Sequence, residues 1–356
     1  MRRAAITGWG RCTPEPVLTN HDLESVMDTS DEWITTRSGI RERRICNAEN
    51  SDMAAVAGAH ALAAAGLEPS DIDYLIVATC TPDRQIPAAA CYVQAKLGTV
   101  NSAAIDINAG CTGFIYGLTM AQGFIATGIA ERVLLIGSER ISPYLDLEER
   151  TTAVLFGDGA GAVVLEPATG DEGVLSLTVG SDGNLSEALT AEGAGTSYMS
   201  NDVPKRIIMD GREVFRNAVV QMSEAAVLAV KEAQLEFEDI DLLIPHQANL
   251  RIIDATARRL DLDDSKVYAN IARYGNTSAA TIPIALSEAV DEGRVPPAGN
   301  VVLVGFGAGL TWGASVVRWG ERTDPIATSD AALPPTDKTG LELLLEIQEL
   351  KKSVST

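Results

Sequence analysis

Five cysteines and three histidines are the scarce reactive side chains of this chain. One of each stands where a backbone turn could present it. Cys111 lies in DINAGCTGFIYGL (106–118), between Asn108-Ala109-Gly110 and an apolar run that begins at Phe114. The small neighbours allow a sharp turn, and Thr112-Gly113 would open a helix. A thiol there meets unpaired N–H groups and the positive end of the helix dipole, which favour thiolate and nucleophilic attack. Free cysteines most often simply pack, so the stretch alone supports either role. His21 sits in a polar N-terminal stretch and His60 in an Ala-rich helical one, so each reads as solvated or structural. His246 directly follows the apolar DLLIP and precedes QANLR, and α/β folds place their sites at the C-terminal ends of buried strands. A histidine satisfied in a loop is the alternative. Asn276, in YGNTSAA, either caps a helix or joins the site. The glycine-rich GFGAGLTWG (305–313) could turn backbone N–H groups toward an oxyanion.

An internal duplication positions these residues. AGLEPSDIDYLI (65–76) matches AQLEFEDIDLLI (233–244) at eight of twelve positions, an offset of 233 − 65 = 168. The same offset carries VLLIG (133–137) onto VVLVG (301–305). Adding it to 111 gives 279, inside YGNTSAATIPIAL, where a polar turn again opens an apolar helix. Two homologous halves, 1–170 and 171–320, are expected, with both turns converging near a pseudo-twofold axis. Short uninterrupted runs such as YLIVAT, VLLIG, LLIP and VVLVG suit strands buried on both faces. Ala-rich stretches of helical period, 53–65 and 214–233, suit the crossovers. The fold class is therefore layered α/β. FGDGAGAVVLE (156–166) opens no helix, so it reads as a tight strand connection and not as a dinucleotide loop.

Bulk properties exclude other classes. The chain of 356 residues carries 28 basic and 49 acidic side chains, a net charge of −21, which disfavours nucleic acid as a partner. MRRAAITGWG has an apolar run too short for a secretory signal, and no stretch approaches a membrane span. The irregular cysteines form neither a disulfide framework nor a metal motif. A cytoplasmic protein without a metal site is expected.

These segments together resemble the thiolase-fold condensing enzymes, and specifically the initiating type, the β-ketoacyl-acyl-carrier-protein synthase III family. TSDEWITTRSGIRERR, GCTGFIYGL, FGDGAGAVVLE, MDGREVFRNAV, PHQANLRI, YGNTSAA and GFGAGLTWGA occur in order over about the first 320 residues. Biosynthetic thiolases carry a second reactive cysteine late in the chain, and none follows Cys111. Elongating synthases pair their cysteine with two histidines, whereas Asn276 takes the place of one here. The resemblance implies an αβαβα fold whose two halves each hold a mixed five-stranded sheet. It implies Cys111 as nucleophile, His246 and Asn276 as decarboxylation residues, and the backbone N–H groups of Cys111 and Ala308 as the oxyanion hole. The implied reaction condenses an acyl-CoA with malonyl-acyl carrier protein, using no cofactor, in a homodimer. A specialised-metabolism relative with an unusual primer, and a non-catalytic carrier-binding subunit, are the alternatives.

Further assignments follow from the same resemblance. Trp33, Arg37 and Arg150 would hold CoA. The family often has an asparagine near Arg212 that contacts the pantetheine arm, so that contact is not carried over. Arg216, Gln247, Arg251, Arg258 and Arg259 would dock the acidic carrier protein. Arg251 and Arg258 are seven apart, on one side of a helix. Ile86 falls where some relatives place a phenylalanine that reaches across the dimer and shortens the partner's acyl pocket. Beyond residue 320 the chain departs from the family: 321–356 reads as a linker and an amphipathic helix, with Leu343, Leu344, Ile347 and Leu350 on the apolar side. Packing on its own body or on a dimer mate is expected, and a docking helix for another protein is the alternative.

Overall fold

A computed structural model describes residues 2–193, 195–196 and 205–354. The first sheet contains β1 (Ala4–Cys12), β2 (Tyr74–Ala78), β3 (Ala103–Ile107), β4 (Val133–Glu139) and β5 (Gly159–Pro167) in the order β1-β5-β4-β2-β3. β2 pairs in parallel with β3 and β4, whereas β5 is antiparallel to β4 and β1. The second sheet contains β6 (Gly173–Ser181), β7 (Leu242–Pro245), β8 (Asn300–Gly307) and β9 (Thr311–Arg318) in the order β7-β8-β9-β6. The duplication holds in register: the Tyr74–Val133 pair maps onto Leu242–Val301, since 74 + 168 = 242 and 133 + 168 = 301.

The helices are α1 (Asp31–Ser38), α2 (Asn50–Ala65), α3 (Ala89–Leu97), α4 (Gly113–Thr127), α5 (Gly211–Glu232), α6 (Leu250–Arg259), α7 (Thr281–Asp291) and α8 (Gly340–Val354). α2 and α3 cover the outer face of the first sheet and α5 that of the second, while α4 and α7 touch both sheets and form the middle layer. The expected αβαβα layering is present. α4 and α7 also obey the offset, because 113 + 168 = 281.

Two expectations need correction. Among the described residues the second sheet has four strands and not five. Where the fifth would run, only Val267 bridges Leu243. A turn at Asp264–Lys266 precedes that bridge, and Asn270 N–H then donates to Gln247 Oε1 at 3.0 Å, so the chain bends toward the site before a strand can form. FGDGAGAVVLE is also no tight connection, because Gly159 and Gly161 lie inside β5. A Cβ on Gly161 would stand 2.5 Å from the Ile284 backbone nitrogen, so glycine is what lets α7 lie against the sheet.

The tail packs on its own body. Ile326 and Ala327 donate backbone N–H bonds to Ala64 and Ala63, both at 3.1 Å. Leu343 and Leu344 of α8 are buried in an apolar cluster with Leu18, Leu23, Ile34, Ile141 and Leu145. Leu350, expected on the apolar side, is 66% exposed. The buried stripe ends earlier because Gln348 and Lys351 already bond the Leu145 carbonyl.

Candidate active site

Cys111 precedes the first turn of α4, and Gly110 holds φ +53°, the left-handed turn that its missing Cβ permits. Asn276 is clamped on both sides: its N–H donates to Leu155 O at 2.8 Å, and its C=O accepts from Gly157 N at 3.1 Å. The preceding Gly275 has φ +63°, and a Cβ there would stand 2.8 Å from Leu155 O. Asn276 Oδ1 accepts the Ser278 N–H at 2.8 Å, which orients the amide and leaves Nδ2 available to donate. His246 leaves the end of β7 with its N–H bonded to Val304 O at 2.8 Å and Nδ1 2.6 Å from the Thr281 hydroxyl. Asn276 thus caps the Ser278 turn, and both it and His246 line one cavity with Cys111.

That cavity measures about 90 Å³, and Phe306 and Gly307 complete its floor. It shares Leu155, Met209, Phe215 and Asn249 with a larger cavity of about 790 Å³ bounded by Trp33, Arg37 and Arg212. A buried reaction chamber therefore opens through a wide mouth. The backbones around Cys111 approach closely. A Cβ on Gly307 would stand 2.6 Å from Cys111 N, and one on Gly110 would stand 3.1 Å from Ala308 N. The Cys111 and Ala308 backbones therefore meet at the chamber floor.

The electrostatics differ from the helix-end expectation. Burial pushes the Cys111 thiol up to about 11, the Ser278 hydroxyl acts in the opposite direction, and the Glu139 charge adds to the rise. Burial therefore favours the protonated thiol over the thiolate. Burial lowers His246 to about 3, so its imidazole is neutral at physiological pH.

At the mouth, the guanidinium of Arg37 lies 4.5 Å, and that of Arg150 4.9 Å, from the Trp33 ring centroid. The three residues assigned to CoA thus form one cluster, with Arg150 also donating to Asp28 O at 2.7 Å. Arg216, Arg251, Arg258 and Arg259 are exposed on α5 and α6. Arg251 lies 5.7 Å over the Phe215 ring at the mouth, Arg216 pairs with Glu213 at 2.6 Å, and Arg259 pairs with Glu224 at 3.5 Å. Gln247 does not belong with them. It is buried: Nε2 donates to Pro245 O (2.7 Å) and Tyr268 O (3.2 Å), so it braces the His246 loop and cannot meet a partner. Ile86 is exposed and does not line the Cys111 cavity of its own chain.

Comparison with known proteins decides the family. The chain is 47% identical over 344 residues to β-ketoacyl-[acyl-carrier-protein] synthase III 2 of Vibrio cholerae, covering 96% of this chain and 95% of that one. The chain belongs to the β-ketoacyl-acyl-carrier-protein synthase III family. The synthase III of Geobacillus kaustophilus is 50% identical over 319 residues, covering 89% of this chain and 99% of its own. The crystal structure of 3-oxoacyl-[acyl-carrier-protein] synthase III from Aquifex aeolicus superposes with a TM-score of 0.85 at 46% identity, covering 89% of this chain and all of that one. Models of the 3-oxoacyl-[acyl-carrier-protein] synthase III and of its C-terminal region match residues 105–183 and 230–319. The protein is accordingly an acyltransferase of the condensing type with the thiolase-like fold. No helix among the described residues is long and apolar enough to cross a membrane.

Sequence reasoning missed Thr281, Ser278 and Glu139. Glu139 carried a usable signal, because it ends β4 as Gly307 ends β8, and 139 + 168 = 307.

Proposed function

We propose that Cys111 carries the acyl group in a decarboxylating Claisen condensation of an acyl-CoA primer with malonyl-acyl carrier protein, the step that initiates fatty acid synthesis. The observation that carries this reading is the single chamber lined by Cys111, His246 and Asn276, reached through a mouth bearing Trp33 and Arg37. CoA enters with its nucleotide at Trp33, Arg37 and Arg150, where an indole face suits adenine and guanidinium groups suit phosphate. The Cys111 sulfur attacks the thioester carbonyl. The backbone N–H groups of Cys111 and Ala308 hold the resulting oxyanion, and CoA leaves.

Malonyl carrier protein then docks its acidic surface on Arg216, Arg251, Arg258 and Arg259. Asn276 Nδ2 and His246 donate to its thioester oxygen. We assign the Thr281 hydroxyl as donor to Nδ1, which puts the imidazole proton on Nε2, and a neutral ring adds no charge that must later be lost. These donors stabilise the enolate formed as carbon dioxide departs, and its carbanion attacks the acyl-cysteine. The product is a 3-oxoacyl carrier protein, formed without a metal or redox cofactor. A cytoplasmic homodimer, with Ile86 shaping the partner's acyl pocket, completes the reading.

Intact-mass measurement after incubation with a panel of acyl-CoAs tests it. An adduct should form, vanish in Cys111→Ala, persist in His246→Ala, and be consumed by malonyl carrier protein only when His246 is present. No adduct with any primer would remove the assignment.

A further inference from the structure

Behind the Asn276–Ser278 turn lies a buried carboxylic acid that the steps above do not use. Glu139 is fully buried at the end of β4, and all of its hydrogen-bond donors are neutral. Oε1 accepts from the Cys80 thiol at 3.2 Å and from the Ser278 hydroxyl at 3.0 Å. Oε2 accepts from Thr79 Oγ1 at 3.2 Å, from Cys80 N at 3.1 Å and from Thr81 Oγ1. A structural carboxylate could be held this way, but Ser278 makes the arrangement more than structural. Its hydroxyl bonds the carboxylate at 3.0 Å, lies 4.0 Å from the Cys80 sulfur and acts on the Cys111 thiol, while its backbone N–H holds the Asn276 side chain that lines the cavity with Cys111. The loop carrying it is pressed on the α4 turn: a Cβ on Gly113 would stand 3.5 Å from the Ala279 Cβ. Ser278 is also one of few non-glycine residues with positive φ, at +50°, so the chain accepts an unfavourable backbone to place this side chain.

A buried thiol needs somewhere to send its proton when it attacks. His246 is bonded through Nδ1 to Thr281 and is disposed to donate to the malonyl thioester. We propose that Glu139 accepts the Cys111 proton through the Ser278 hydroxyl during acyl transfer, stores it while the acyl-enzyme waits, and returns it when the acyl group leaves. The inference rests on Cys111 being the acylated nucleophile.

The protons balance. In the first half-reaction the S–H proton passes to Ser278 Oγ as the Ser278 proton passes to Glu139, and the thiolate forms the acyl–sulfur bond. The departing CoA thiolate takes a proton from solvent. In the second, loss of carbon dioxide from the malonyl carboxylate leaves a carbanion, which displaces Cys111 as thiolate. Glu139 reprotonates that sulfur through Ser278 and is again a carboxylate. Storage as the neutral acid removes one negative charge from behind the Asn276–Ser278 turn when the malonyl carboxylate arrives. Burial raises the pKa of Glu139 above the ordinary carboxylic value, as a proton store at the end of a dry relay requires. The titratable groups facing it are Cys80, Cys111 and Tyr144. Arg140, next in sequence, turns its guanidinium away to Cys46 O at 3.4 Å.

The test is Glu139→Gln in the full-length protein, with Cys111 acylation followed by intact mass and malonyl carrier protein decarboxylation followed without primer. Acylation should slow by about 10² while decarboxylation continues, as expected for loss of a proton acceptor. The fall in wild-type acylation toward acid pH, where Glu139 is already protonated, should be missing in the variant. Acylation at the wild-type rate would overturn the relay. If both half-reactions are lost, Ser278→Ala decides, because it removes the hydroxyl but keeps the backbone N–H that orients Asn276. Slowed acylation with decarboxylation intact supports the relay, whereas unchanged acylation, or joint loss, refutes it. A wild-type protein that takes no acyl group would overturn the Cys111 assignment itself.

Discussion

Replacing Leu344 by alanine tests whether the tail is part of the fold or an appendage. The side chain is fully buried, in the cluster that also holds Leu18, Leu23, Ile34 and Leu145. Removing three buried carbons and leaving a cavity costs roughly 2 to 5 kcal/mol in well-packed cores. Leu350 offers an internal control on the same helix, because it is 66% exposed and its truncation should change stability by less than about 0.5 kcal/mol. Urea unfolding of both variants reads the difference as a lower midpoint for Leu344→Ala at unchanged slope. The consequence should reach the substrate. Ile34 belongs to α1, whose neighbouring Trp33 lines the mouth, so loosening the cluster should raise the Michaelis constant for acyl-CoA and leave turnover at saturation nearly intact. Equal midpoints for the two variants would refute the packing argument. A lower midpoint with unchanged acyl-CoA dependence would refute only the coupling to the mouth.

Three other outcomes follow from the geometry. Gly307→Ala places a methyl about 2.6 Å from Cys111 N, so turnover should fall by about 10² to 10³, the range for losing an oxyanion donor, while circular dichroism stays native. His246 is held at about 3 in the folded state against 6.5 when free, so the unfolded chain binds a proton the folded one refuses. Its contribution to stability is therefore complete above about pH 6.5 and lost as pH falls toward 3. Between pH 7 and 5 the loss should be roughly 2 kcal/mol and should be absent in His246→Gln, as urea unfolding at the two pH values can show. Arg251→Glu should raise the Michaelis constant for malonyl carrier protein and leave Cys111 acylation by acyl-CoA unchanged; equal loss of both would count against docking there.

Much of the architecture is legible in the residue order. The 168-residue offset predicted two homologous halves, and the Leu242–Val301 register repeats Tyr74–Val133 because duplicated strands retain their side-chain pattern. The same arithmetic set the Cys111 turn against the Asn276 turn, and the end of an apolar strand marked His246. Such features are local or periodic, so a linear reading can reach them.

Tertiary structure decided what depends on how side chains from distant segments share space. Gln247 sits among residues that suggest a docking surface, but Tyr268 and Asn270 bury it. The fifth strand of the second sheet shrank to one bridge because that glutamine draws the chain away. The helix end at Cys111 suggested thiolate, whereas burial of the sulfur favours a thiol, because desolvation of a sulfur anion outweighs a partial dipole charge. Glu139 and Ser278 lie 139 residues apart, and only the fold brings their oxygens to 3.0 Å beside the nucleophile.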